Sequence, residues 1–158
     1  MQQEQYEEKF KQYIKENNIK AEQITFEDGD VKTSEKARLK TNALIVKTVV
    51  FIDLDKELEY GNSVIAIIPG EARVDKDKLR KISNSKVKIA SAEQVLILTS
   101  YPAGGVPPFG FKARFYLDSS LKNKNEVYAG GGSQRTLIKT TIKEILKDNK
   151  AEIVNIVE

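Results

Sequence analysis

Lys47 stands in the middle of Leu44-Ile45-Val46-Lys47-Thr48-Val49-Val50-Phe51-Ile52, where only Thr48 is otherwise polar. An ammonium in such company must reach water, a carboxylate or a ligand, because an unpaired buried charge is costly. The simpler alternative is a methylene stem that runs out to solvent. The run is β-branched and apolar on both faces, so Leu44–Asp53 reads as a central strand. Alternation along a strand sets Lys47 with Ile45, Val49 and Phe51 and turns Thr48 to the opposite face.

Two glycine-rich stretches can bring bare backbone N–H groups to a ligand. Residues 104–110 read Gly-Gly-Val-Pro-Pro-Phe-Gly, which no helix or central strand tolerates. Residues 130–132 are Gly-Gly-Gly, followed by Ser133-Gln134-Arg135. Either stretch could equally be a tight connection between elements. The aromatics Phe26 and Phe109 could line a pocket or pack in a core.

The elements that must position these residues follow from periodicity. Tyr6, Phe10, Tyr13 and Ile14 fall at helical spacing, which predicts a helix over 3–17. Ile24-Thr25-Phe26 reads as a short strand and 34–40 as a short helix. Ser63–Ile68 is a second long strand, ended by Pro69-Gly70. Asp75 reads as an N-cap, with Val74 and Leu79 as a hydrophobic staple, for a helix to Ile82. Ser91-Ala92-Glu93-Gln94 fits a capping box for a helix to Thr99, and Thr141-Ile142-Lys143-Glu144 fits another. Strands are expected at 87–90, 113–117, 126–129, 136–140 and 152–157. Strands interspersed with short helices predict one α/β domain over 1–158 with a mixed, curved sheet.

Composition narrows the chemistry. The 158 residues include no cysteine and no histidine. This removes disulfides, thiol nucleophiles, Ser-His and Cys-His pairs and the usual zinc sites. No serine sits in a Gly-x-Ser-x-Gly elbow, and there is no P-loop. The pairs Asp53/Asp55 and Asp75/Asp77 read as turn and cap residues, so neither metal nor cofactor is expected. The net charge is only +3, but bases cluster at 32–47 and 76–88, where they could track a phosphate backbone. No apolar run approaches a membrane span, and the N-terminus lacks a signal-peptide pattern, so a cytoplasmic protein is expected.

Taken together, Lys47-Thr48 in an apolar strand, the loop Gly105-Val106-Pro107-Pro108-Phe109-Gly110 and the turn Gly130-Gly131-Gly132 before a strand and a final helix resemble one family. This is the YbaK/prolyl-tRNA-synthetase-associated editing domain, and the order and spacing fit from about Ile24 to Val157. The resemblance implies a barrel-like mixed sheet and a free-standing trans-editing deacylase. Such an enzyme hydrolyses the ester of tRNA mischarged with a small amino acid. It implies Lys47 as the functional lysine, and substrate binding by Phe26, Thr48, Gly104, Gly105, Pro107, Pro108, Phe109, Gly110, Gly130, Gly131 and Gly132. The implied partners are mischarged tRNA and, second, an aminoacyl-tRNA synthetase. The alternative is a non-catalytic tRNA- or protein-binding module of the same fold. Two departures bear on the substrate. Family members acting on cysteinyl-tRNA usually carry a serine leading the glycine turn and an aspartate several residues later, where this chain has Ala129 and Thr136. Editing domains fused within prolyl-tRNA synthetases usually have a histidine after their glycines.

Overall fold

The computed structural model describes residues 3–26, 36–37 and 43–158. The chain runs α1 (Gln3–Glu16), β1 (Glu22–Thr25), β2 (Val46–Asp53), β3 (Ser63–Pro69), α2 (Lys76–Ser83), β4 (Val87–Ile89) and α3 (Ala92–Thr99). It continues with β5 (Arg114–Asp118), a 3-10 turn (Ser119–Leu121), β6 (Glu126–Gly130), β7 (Thr136–Thr141), α4 (Ile142–Asn149) and β8 (Glu152–Val154). The larger sheet has the order β4-β2-β3-β5-β8, and the smaller β1-β7-β6. Strands β2–β3 and β2–β4 are antiparallel, whereas β3–β5 and β5–β8 are parallel. Among the described residues an isolated bridge, Ile45 to Tyr128, joins the two sheets.

Alternation sorts the core. Val46 and Val50 of β2 and Ile65 and Ile67 of β3 join Val127 and Ile138 of the smaller sheet in one cluster. Tyr6 and Phe10 of α1 enter the same cluster, as the helical spacing requires. The intervening residues Phe51, Val64, Ala66 and Ile68 face the other way and pack against Leu79 of α2. β3 is buried on both faces because α1 and the smaller sheet cover one and α2 covers the other, while β2 and β5 pair with its two edges.

The caps obey their sequence signals with one exception. Asp75 accepts from the N–H groups of Asp77 and Lys78, and Val74 and Leu79 share one cluster. Ser91 and Gln94 form the full reciprocal box. Thr141 caps Glu144 N–H, but the Glu144 carboxylate does not return to the cap. It accepts instead from Lys20 N–H at 2.7 Å and from Lys147 at 3.1 Å, because α4 packs beside the chain leaving α1. The 3-10 turn went unforeseen; Asp118 caps it. Of the expected helix at 34–40, only Lys36 and Ala37 are described, and both are helical.

Candidate active site

On one edge β2 is fully paired with β3, but on the other its pairing is interrupted. Tyr128 N–H donates to Leu44 C=O at one end of the gap (2.9 Å), and Ala90 N–H donates to Val50 C=O at the other (3.0 Å). Between them lies a cavity of about 360 Å³. Lys47, Thr48, Gly104 and Gly130 all line it, so the fold gathers the unusual lysine and one glycine from each glycine-rich segment. Its apolar lining includes Val46, Val50, Val95, Val106, Ala90 and Ala129.

Lys47 lies on the strand face of Val49 and Phe51, opposite Val46 and Val50. No hydrogen bond or ion pair joins it to a described residue. Burial lowers its pKa from the ordinary lysine value, and the nearby Arg73 guanidinium lowers it further. Arg73 is exposed and also lacks an ion-pair partner among the described residues. Two cations that repel each other in this way attract a shared anion. Thr48 sits on the inner face, and its Oγ1 is buried with no hydrogen-bond partner.

The loop at 104–110 divides its labour. Gly104, at φ +86°, and Val106 line the cavity, and neither N–H is bonded to a described residue. Gly105, Pro107, Pro108, Phe109 and Gly110 are not among the lining residues. Phe109 is fully buried against Phe10, with ring centroids 5.3 Å apart, and Gly110 lies beside Phe10. The carbonyl of Pro108 accepts from Asn149 of α4 at 2.9 Å. Gly105 packs on the backbone of Ser133, where an added Cβ would fall 2.6 Å from its carbonyl carbon. At Gly130 a Cβ would collide with the carbonyl oxygen of Val106. The close approach expected of these glycines is therefore largely of one loop to the other, and Gly132 N–H donates to Gly105 C=O at 2.8 Å to fasten it. Gly131 is pinned by its N–H to Thr136 C=O. Phe26 packs with Ala37, Ile45 and Leu137 and does not line the cavity.

A family model described as the aminoacyl-tRNA editing domain matches residues 29–147. The chain belongs to this family. Among curated relatives it is 38% identical over 88 residues to the uncharacterized protein YwhH of Bacillus subtilis. It is 29% identical over 96 residues to EbsC of Enterococcus faecalis, a candidate Cys-tRNA(Pro)/Cys-tRNA(Cys) deacylase. These matches cover 54% and 59% of this chain and 56% and 58% of the relatives, so the chain spans little more than half their length. A solved structure of a candidate trans-editing enzyme for prolyl-tRNA synthetase superposes with a TM-score of 0.81 at 25% identity, over 97% of each chain.

Two features of this editing domain were not legible from its motifs. The first is a buttress behind the glycine turn. Glu7 of α1 accepts from Arg135 Nε at 2.8 Å and from its second nitrogen at 3.1 Å, and from Ser133 Oγ at 2.7 Å. The Arg135 hydrogen bond, more than its burial can offset, holds Glu7 below the usual carboxylate range. Gln23 adds a bond to Gly131 C=O at 2.8 Å. The clue was the Ser133-Gln134-Arg135 sequence after the glycines, but its partner lies 126 residues away. The second is Arg73, which no local pattern marks. The two departures also separate here. Ala129 lines the cavity, whereas Thr136 is buried outside it, bonded to Ser133.

Proposed function

We propose that this editing domain hydrolyses the ester linking a small amino acid to tRNA, acting in trans. The observation that carries this reading is the unpartnered Lys47 ammonium on the cavity that Gly104 and Gly130 also line. An aminoacyl ester is intrinsically reactive, so positioning and stabilisation of the developing oxyanion supply most of the catalysis. Lys47, with Arg73 close by, binds the terminal phosphate and fixes the 3′ end of the tRNA over the cavity. The free N–H groups of Gly104 and Val106 receive the ester carbonyl oxygen as it gains negative charge. A hydroxyl of the terminal ribose orients the attacking water, since the chain has no histidine or cysteine to serve as base or nucleophile. Alanines and valines form much of the lining, beside Ile45, Ile89 and Leu137, and the small amino acid is carried by the resemblance to the editing family rather than by the size of the cavity.

The test is a deacylation panel of alanyl-, cysteinyl- and seryl-tRNA. At least one ester should disappear faster than in buffer. Persistence of every ester, with tRNA still bound, would favour a non-catalytic binding module.

A further inference from the structure

The gap in the pairing of β2 has a definite chemistry. Gly70 N–H donates to Ile45 C=O at 2.8 Å, so Ile45 and its odd-numbered successors turn their N–H and C=O groups toward β3. Thr48 therefore turns both of its backbone groups toward the gap. No described residue bonds either of them. Backbone polar groups withdrawn from bulk water are nearly always paired. These two belong to a cavity-lining residue midway between the last bond to Tyr128 and the first to Ala90. The ladder is missing one rung.

An L-α-aminoacyl ester carries the complement of that rung: an ammonium donor and a carbonyl acceptor, spaced as in one strand residue. We propose that the aminoacyl moiety docks as a one-residue β-strand against Thr48. Its ammonium donates to Thr48 C=O, and its ester carbonyl accepts from Thr48 N–H in the bound ester, the Gly104 and Val106 N–H groups taking up the further negative charge as the oxyanion develops. This rests on the deacylase reading only for the identity of the ester.

Directly opposed residues of a ladder project their side chains on the same face. The substrate side chain then falls on the Thr48 face, beside Val46 and Val50, where the Thr48 hydroxyl is also unpartnered. A D-aminoacyl group would turn its side chain to the Lys47 face. An acyl group without an α-nitrogen would leave Thr48 C=O unpaired.

Binding is measured with tRNA acylated through a 3′-amide, which does not turn over. Three conjugates, L-alanyl, D-alanyl and propionyl, are compared with uncharged tRNA, while hydrolysis of the alanyl ester is followed in parallel. The L-alanyl conjugate should bind at least tenfold more tightly than the other two. Replacing Thr48 by its α-hydroxy analogue through nonsense suppression exchanges the N–H for an ester oxygen, at the cost of a weaker Lys47 carbonyl toward β3, and should weaken L-alanyl binding while uncharged tRNA binds as before. Equal binding of the three conjugates overturns the strand pairing, and if the ester is still cleaved the deacylase reading stands without it. Preferential L-alanyl binding with no ester cleaved supports the pairing and overturns the deacylase reading.

Discussion

At the residue scale the cavity is lined by two polar side chains, Lys47 and Thr48, that bond to no described residue. Lys47 is partly withdrawn from water beside another cation, which depresses its pKa. A lysine with a depressed folded value costs the native state stability while it is protonated. That cost vanishes as pH rises above the unfolded value of 10.5. Lys47→Ala should therefore melt at the same or a higher temperature near neutrality, and this advantage should shrink as pH approaches and passes 10.5. Deacylation at limiting substrate should fall on the order of tenfold to a thousandfold, the loss of one charge-assisted contact that holds the 3′ end over the cavity. A variant with lower stability and wild-type turnover would remove Lys47 from the site. Thr48→Val replaces a buried, unpartnered hydroxyl by a methyl of similar size. It should raise stability by about 1 kcal/mol in urea unfolding, whereas a loss would reveal a hidden partner for Oγ1.

At the element scale the glycine turn is held from behind by α1 and from the side by the proline loop. The Glu7 carboxylate has a lowered folded pKa, so its contribution is present above its ordinary value of 4.5 and is lost as pH falls through the folded value. Glu7→Gln should cost about 1–3 kcal/mol at neutral pH, since it strips charge from a half-buried bidentate pair with Arg135. The difference from wild type should narrow in acid, which thermal melts across that range would measure. Gly130→Ala should be worse, because its Cβ meets the Val106 carbonyl and the two loops must part. A loss of both melting temperature and turnover is expected. Turnover lost at unchanged stability would mean that this glycine approaches substrate rather than the opposite loop.

At the scale of the molecule the net charge of +3 is too small to attract RNA unless it is unevenly spread. α2 and its flank carry Lys76, Arg80, Lys81, Lys86 and Lys88 on exposed positions. Arg80 faces Asp77 at 3.6 Å, an exposed pair of little worth, and donates to Val87 C=O at 3.3 Å. Arg80→Glu combined with Lys81→Glu should weaken tRNA binding several-fold and flatten its salt dependence by roughly one unit of slope per lost phosphate contact. An unchanged affinity would make this a solvated face. The basic segment at 38–40 lies outside the described residues and enters no such argument.

Local chemistry determined much of this protein by itself. Continuous β-branched, apolar runs set β2 and β3, and Asp75 and Ser91 capped their helices as their side chains allow. Lys47 announced itself because an ammonium is out of place in an apolar strand. The absence of histidine and cysteine limited the catalysis before any fold was known. Tertiary structure decided which loop residues matter at the cavity. Six residues of the proline loop stood alike as candidates, yet of these only Gly104 lines the cavity, joined there by Val106, while Phe109 was drawn into the core by the aromatic rings of α1. It also redirected Glu144 from its cap to Lys20 and brought Glu7 to Ser133 and Arg135. The unpaired edge at Thr48 was invisible in the sequence. A broken ladder depends on where β4 and β6 diverge, which no single strand encodes.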